Sequence, residues 1–499
     1  MSAKPTQHAA VVGAGVAGLC SALALSRAGF QVTVLERDVP PPDGDAEQAF
    51  FAWQRRGAAQ FRHPHAFLGL MCSLLQERYP DLLDAFFAAG ARKLTFADMV
   101  PPHLKPDYKP APGDDQLWML LCRRATLETV LRQYVQRQNS VTINNTQYVT
   151  GLLTSQNPLT VTGLQVTRRD NNNEQLEQPY DVVIDATGRT SKFPRWLEAQ
   201  GAHVEEQRDD AEIVYYTRHY QLLPGVEEPD RHKEDPSAGD LGYMKYGVFP
   251  GDSGHFALIV CLPNHETQLR DAIKTAEGFD SVCRTIPGLV PWIAEDRASP
   301  TTAPFGIGQI HSVWRNFLDA DEQPLARNFF AVGDSAVRTN PLYGRGCSTG
   351  ILHAHLLAEA LTETNDPVQR AQTFHHLTHE RLRPIFNASL SEDKNGIRRA
   401  EAVLQGQSVE KASSIKQYLK LAFGDALAWA ARYDINVFRG MMRTVNLVEN
   451  PGDFLKDKQT RRTVFGYMLR GRKRNAKARV QRGLSRAEMM QHVDKLASS

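Results

Sequence analysis

The stretch "HAAVVGAGVAGLCSALALSRAGFQVTVLER" (His8 to Arg37) limits the possible folds more than any other part of this chain. Residues 8–12 are a short apolar run. Glycines follow, then an Ala/Leu-rich segment predicts a helix to about Arg27, and residues 31–36 read as a second strand. That order is the opening β-α-β unit of a doubly wound α/β sheet. Gly13, Gly15 and Gly18 fall in the spacing G-x-G-x-x-G. The first glycine permits the tight turn, the second lets backbone approach a pyrophosphate, and the third lets helix and strand pack closely. The helix N-terminus adds free N–H groups and a partial positive charge. Glu36, followed by Arg37, ends the second strand 18 residues after Gly18. A carboxylate there can accept both ribose hydroxyls and would repel a ribose 2′-phosphate. A glycine turn that only packs is the competing reading. The flanking strand and helix, with the acid at the second strand's end, favour dinucleotide binding.

A second glycine-rich turn lies more than 300 residues downstream, in "FFAVGDSAVRTNPLYGRGCSTG" (Phe329 to Gly350). Asp334 stands at a strand end, where a carboxylate can bond a sugar-alcohol chain such as the ribityl of FAD. Pro341 stops the chain, and Gly344, Gly346 and Gly350 open an apolar helix. Its N–H groups would face whatever lies in front, and a reduced flavin, negative along its N1–C2=O edge, suits a positive helix end.

Between these turns lie the remaining elements. "VPPPDGD" (39–45) and "PPHLKPDYKPAPGDD" (101–115) read as surface connections, residues 66–90 as helix, and Leu117–Gln138 as a strand and a helix. From Val141 to Ile184 short alternating strands suggest a β-meander returning to the buried strand of "DVVIDATG", with "RRDNNNEQ" as a turn. Residues 211–220, 243–249 and 254–262 suggest an antiparallel sheet. Beyond about 366 the pattern is mostly helical. Net charge is +2, which gives no global case for a nucleic-acid partner. Six cysteines lie scattered without a C-x-x-C pair, as expected of reduced thiols in a cytoplasmic protein. The apolar segment 9–25 is interrupted by glycines and followed by a strand rather than a cleavage site, so a signal peptide is not expected, nor is a membrane span.

Taken together, "VVGAGVAGL…VTVLER", "YDVVIDATGRTSKFPRWL" (Tyr180 to Leu197) and "FFAVGDS…NPLYGRG" resemble, in order, three motifs of the FAD-dependent monooxygenases related to para-hydroxybenzoate hydroxylase and squalene epoxidase. The resemblance spans about 365 residues. It implies a Rossmann-like FAD-binding domain over 1–199, with insertions near 40–116, closed by 318–365. It also implies an antiparallel substrate domain over 200–317 and a helical C-terminal region over 366–499. "RRATLE" is similar to the family's S-R-x-x-L-E stretch and maps its flavin-contacting arginine onto Arg124; the middle motif contributes Gly188. FAD is the implied cofactor. The implied reaction passes one atom of O₂, through a flavin C4a-hydroperoxide, to a small apolar alkene or aromatic ring, as expected in secondary metabolism. NADPH or NADH would supply electrons. The middle motif usually reads Ala-Asp-Gly, and Thr187 replaces its aspartate, so a separate flavin reductase is a possible partner.

"FRHPHAFLG" resembles an R-H-x-H segment of some flavin epoxidases and nominates Arg62, His63 and His65 as pocket-lining or catalytic groups. Tyr215, Arg218, Tyr246 and Phe249 are candidate substrate contacts on pattern alone. His375 and His379 have metal-ligand spacing in "HHLTH", but no carboxylate lies between them, and a solvated helix face is the simpler reading; no metal is expected. The basic run Tyr467–Arg482 reads as an exposed charged helix, with peripheral membrane contact as the strongest interaction it suggests. Three other readings compete. A halogenase would carry W-x-W-x-I-P and an ene-reductase Y-x-W-x-F-P, and neither occurs here; the third is a flavin-holding protein without turnover.

Overall fold

The computed structural model describes residues 6–42, 45–169, 173–230, 235–407, 412, 414–475 and 482–497. Its centre is a five-stranded parallel sheet. In spatial order the strands are Phe329–Ala331, Val182–Asp185, His8–Val12, Gln31–Leu35 and Val141–Asn144. These strands are short apolar runs because both faces are covered, as parallel sheets require. The helices Val16–Arg27 and Gly346–Glu363 pack on the sheet and on each other, and share one large core with it.

One expectation needs correcting and another is made finer. Val141–Asn144 is not the first strand of a meander: it pairs parallel with Gln31–Leu35, as the return strand of the crossover through helix Arg124–Gln136. The antiparallel set begins one strand later, as Gln147–Ser155, Thr160–Arg168 and Gln175–Pro179. The segment 66–90 is two helices, Gly69–Arg78 and Pro80–Ala88. Pro80 lacks an N–H and sits at the first turn of the second, where none is needed.

A second, antiparallel sheet has its own core. Its strands run in the order Ala238–Asp240, Lys245–Pro250, His255–Pro263, Ile213–Leu222, Ala298–Pro300, with Phe305–Ile307 also paired to Ile213–Leu222. Two helices, Thr267–Ala272 and Ala276–Arg284, cover it. The strands Glu205–Asp210, His311–Asn316 and Val337–Arg338 form a small sheet joining this region to the parallel core.

The C-terminal region is helical, as expected, but it does not stay together. Helix Arg486–Ala497 returns to the second sheet, where Met489 and Val493 are buried and Arg486 pairs with Glu266. Helices Ile415–Tyr433, Ile435–Val445 and Lys458–Leu469 form a separate cluster around Ala426, Ala430, Val437 and Val464. Among the described residues no helix is long and apolar enough to cross a membrane.

Candidate active site

One cavity of about 350 Å³ opens where the glycine turns meet. The first turn follows strand His8–Val12. Gly13 takes φ +106°, and a Cβ there would lie 2.6 Å from the Ala186 carbonyl oxygen. A Cβ on Gly18 would lie 1.9 Å from the Gly13 oxygen, so Gly18 is a packing residue and does not line the cavity. Gly15 is different. It lines the cavity, caps helix Val16–Arg27, and a Cβ on it would meet nothing within 4 Å.

The second turn repeats this arrangement. Gly346 lines the same cavity and opens the 18-residue helix Gly346–Glu363, and a Cβ added to it would likewise find open space to 4 Å. Gly344 takes φ +67° and abuts Ala66. The two helices meet at Ala17, whose methyl group lies 3.4 Å from the Cβ position of Gly350 and 2.7 Å from that of Gly333. Small residues thus bring both helix N-termini to one cavity, bare backbone foremost. Such paired ends attract negative charge.

A buried chain of charges runs through the cavity wall. Glu36 Oε2 accepts from the Ala14 N–H (2.8 Å) and from Arg55 (3.2 Å), while Oε1 accepts from the Asp38 N–H (2.8 Å). Three protein donors thus already meet the Glu36 carboxylate, two on Oε2 and one on Oε1. Arg55 also pairs with Asp38 at 3.2 Å and with Glu128 at 3.0 Å, and Glu128 pairs with Arg124. Burial alone would raise the Glu128 carboxyl, but Arg124 and Arg55 hold it below its ordinary value. Arg124 donates onward to His65 Nε2 at 2.8 Å. Arginine can only donate, so Nε2 accepts and Nδ1 carries the proton, donated to the His63 carbonyl at 2.8 Å. Burial and then Arg124 keep His65 neutral.

The middle motif closes the cavity. Asp185 ends strand Val182–Asp185, fully buried, and accepts from the Thr187 N–H, the Thr187 and Ser191 hydroxyls, and Ser335. Thr187 spends its hydroxyl inward, at 2.6 Å from Asp185, and offers the cavity no carboxylate. Gly188 donates its N–H to Ser335 and takes φ +71°. Asp334 lies in a short turn directly after strand Phe329–Ala331; burial raises its carboxyl, opposed by Arg338, Arg124 and Arg189.

Of the residues nominated from sequence, Gly13, Gly15, Glu36, Arg37, Arg124, Gly188, Asp334, Pro341, Gly344, Gly346 and His65 line this cavity. Arg62 and His63 do not. Arg62 is exposed and donates to the carbonyls of Phe50 and Phe51. His63 is buried against Tyr215 and Phe305, bonded to Thr217 Oγ1 at 2.8 Å. Tyr215, Arg218 and Tyr246 also lie off the cavity: Arg218 pairs with Asp280, and Tyr215 and Tyr246 sit in cores of the second sheet. Phe249 lines a small adjoining pocket with Arg62, His63 and His219, and that pocket shares His65 and Arg124 with the cavity. The rings of His375 and His379 lie 4.9 Å apart and tilted by 37°, with His379 edge-on to Trp314. Sequence reading missed Arg55, which carries no motif. It also missed the wall formed by Ile307, Gln309, Ile310 and His311, which follows a short strand with no recognisable signature.

Known proteins agree with this architecture. Residues 8–120 match the family model described as FAD dependent oxidoreductase. The chain is 26% identical over 393 residues to Protein Rv3254 of Mycobacterium tuberculosis, covering 73% of this chain and 75% of that protein. Among solved structures, p-nitrophenol 4-monooxygenase PnpA from Pseudomonas putida superposes with a TM-score of 0.56 at 16% identity, over 89% of this chain and 98% of its own. The flavin-dependent brominase Bmp2 superposes with a TM-score of 0.57 at 14% identity, over 93% of this chain and 100% of its own. The fold is shared with these flavin-dependent proteins, and the match to FAD-dependent oxidoreductases covers the first of the three motifs.

Proposed function

We propose that this protein is a FAD-dependent monooxygenase that transfers one atom of O₂ to a small apolar molecule, epoxidising an alkene or hydroxylating an aromatic ring. The observation that supports it best is the single cavity on which both glycine turns open beneath the apolar side chains of Ile307 and Ile310. The residues present fit FAD. Gly15 would present bare backbone and a helix N-terminus to the diphosphate, Glu36 would accept from the ribose, and Asp334 would bond the ribityl chain. The helix beginning at Gly346 would turn its positive end to the flavin ring. FAD bound there would supply oxygen activation and transfer.

The chain's own contribution is positional. His65 holds the Arg124 guanidinium against the cavity, Glu128 neutralises it, and the buried second sheet keeps water from that side. Neither His65 nitrogen is free, so His65 acts by orienting Arg124 rather than by moving a proton. NADPH or NADH is the electron source, and the inward Thr187 hydroxyl favours delivery through a separate flavin reductase.

Purified protein is expected to be yellow. In air, with NADH or NADPH and a flavin reductase, it should consume O₂, and ¹⁸O₂ should label the product. Halide incorporation, alkene reduction without label, or a flavin that never turns over would each replace this reading with one of its competitors.

A further inference from the structure

The cluster made by helices Ile415–Tyr433 and Lys458–Leu469 carries an exposed apolar surface framed by positive charge. Leu469 is 89% exposed, Ile415 81%, Phe465 50%, Leu419 49% and Tyr418 47%. Phe465 and Leu469 lie one turn apart on a single helix face, continued N-terminally by the exposed Arg462 and Arg461. Ile415, Tyr418 and Leu419 share the start of the other helix, beside the exposed Lys416 and Lys420. The two sets are brought together by Arg472, three residues after Leu469, which lies over the Tyr418 ring at 5.6 Å and pairs with Asp425 at 2.9 Å. Arg470, Lys473 and Arg474 are exposed on the same connection.

The charge here is local. Residues 414–475 contain thirteen Lys and Arg against five Asp and Glu, whereas the whole chain is only +2. Helix Lys458–Leu469 contains no acid, and Asp425, the one acid of helix Ile415–Tyr433, is buried against Arg472. We infer that this face docks on an anionic lipid bilayer, with Leu469, Phe465, Ile415 and Leu419 entering the interface and the surrounding cations meeting lipid phosphates. Charge complementarity selects this occupant. A second copy meeting the same face would oppose two strongly positive surfaces. Nucleic acid would use the cations and aromatic rings but gives no partner to exposed Leu and Ile side chains, whereas a bilayer takes both.

The test is co-sedimentation of full-length holoprotein with vesicles of phosphatidylcholine alone or with about 30% phosphatidylglycerol. Binding is expected to the anionic vesicles only and to weaken as NaCl rises. Leu469→Glu should lower the partition coefficient about tenfold, and the double variant Lys473→Glu/Arg474→Glu by at least as much, since the first removes buried apolar area and the second removes surface cations that attract the lipid. Leu469 is exposed, so flavin content and melting temperature of Leu469→Glu should match the parent. No binding to anionic vesicles at low salt, equal binding to neutral ones, or indifference to both variants would overturn the proposal. So would a dimer that Leu469→Glu dissolves, or displacement of vesicles by stoichiometric RNA.

Discussion

The turns at Gly13–Gly18 and at Pro341–Gly346 perform the same task by different means. Each presents bare backbone and a helix N-terminus to one cavity. The first is contiguous in sequence: strand, turn, helix and acid lie within 29 residues, from His8 to Glu36, and Ala186 closes on Gly13 from a distant strand end. The second works only through long-range closure, because Gly344 rests on Ala66 and Gly333 and Gly350 close on Ala17. A local turn can be read from its own residues. A turn completed by distant partners declares its presence in sequence but not what it touches.

This contrast orders the expected effects of substitution. The largest should come from Gly18→Val, whose Cβ would meet the Gly13 oxygen at 1.9 Å; it should yield little folded protein, measured by soluble expression and near-ultraviolet circular dichroism. Next comes the buried charge chain that runs from Glu36 through Arg55 and Glu128 to Arg124. Glu128→Gln leaves Arg55 and Arg124 without their shared carboxylate and should cost about 3–5 kcal/mol in urea denaturation.

Acid should act next, at the junction of the two sheets. Burial, and then its neighbour His219, lowers His63 to about 3, and burial lowers His219 to about 4. In the unfolded chain both titrate near 6.5, so below that pH the unfolded state binds more protons and stability falls. Each should remove up to about 1.4 kcal/mol per pH unit between roughly pH 6.5 and its folded value, with no effect above about pH 7. Denaturant melts at about pH 7.5 and 5 would measure the loss, and His63→Gln should reduce its slope. The smallest effect is expected for Arg62→Ala. That exposed side chain bonds two carbonyls off the cavity, so stability should fall by about 1 kcal/mol or less and flavin content should not change.

The same contrast explains what was legible before the structure. Gly13, Gly15 and Glu36 follow from their spacing together with the flanking strand and helix, and Asp334 from an acid at a strand end. Gly344 and Gly346 are recognisable as a turn that needs bare backbone. Arg55 is not, because its role exists only once Glu36, Asp38 and Glu128 converge on it from other segments. In "RHPH" only the tertiary context sorts the two histidines: His65 reaches the cavity while His63 joins Thr217 on the other sheet, and that depends on where the second sheet lies. Val141–Asn144 reads as part of a meander because a short alternating strand looks the same at a parallel edge as in an antiparallel sheet.

The most direct measurement is FAD bound per chain, by absorbance after gel filtration, in Gly15→Val and Gly346→Val. Neither new Cβ would clash with the protein, so both variants should fold, and melt like the flavin-free parent. If both turns grip one flavin, each variant should emerge nearly colourless and take up added FAD roughly a hundredfold more weakly, because a side chain would stand where backbone must meet the ligand. Parent-like FAD content in both would contradict the shared cradle on which the functional reading depends.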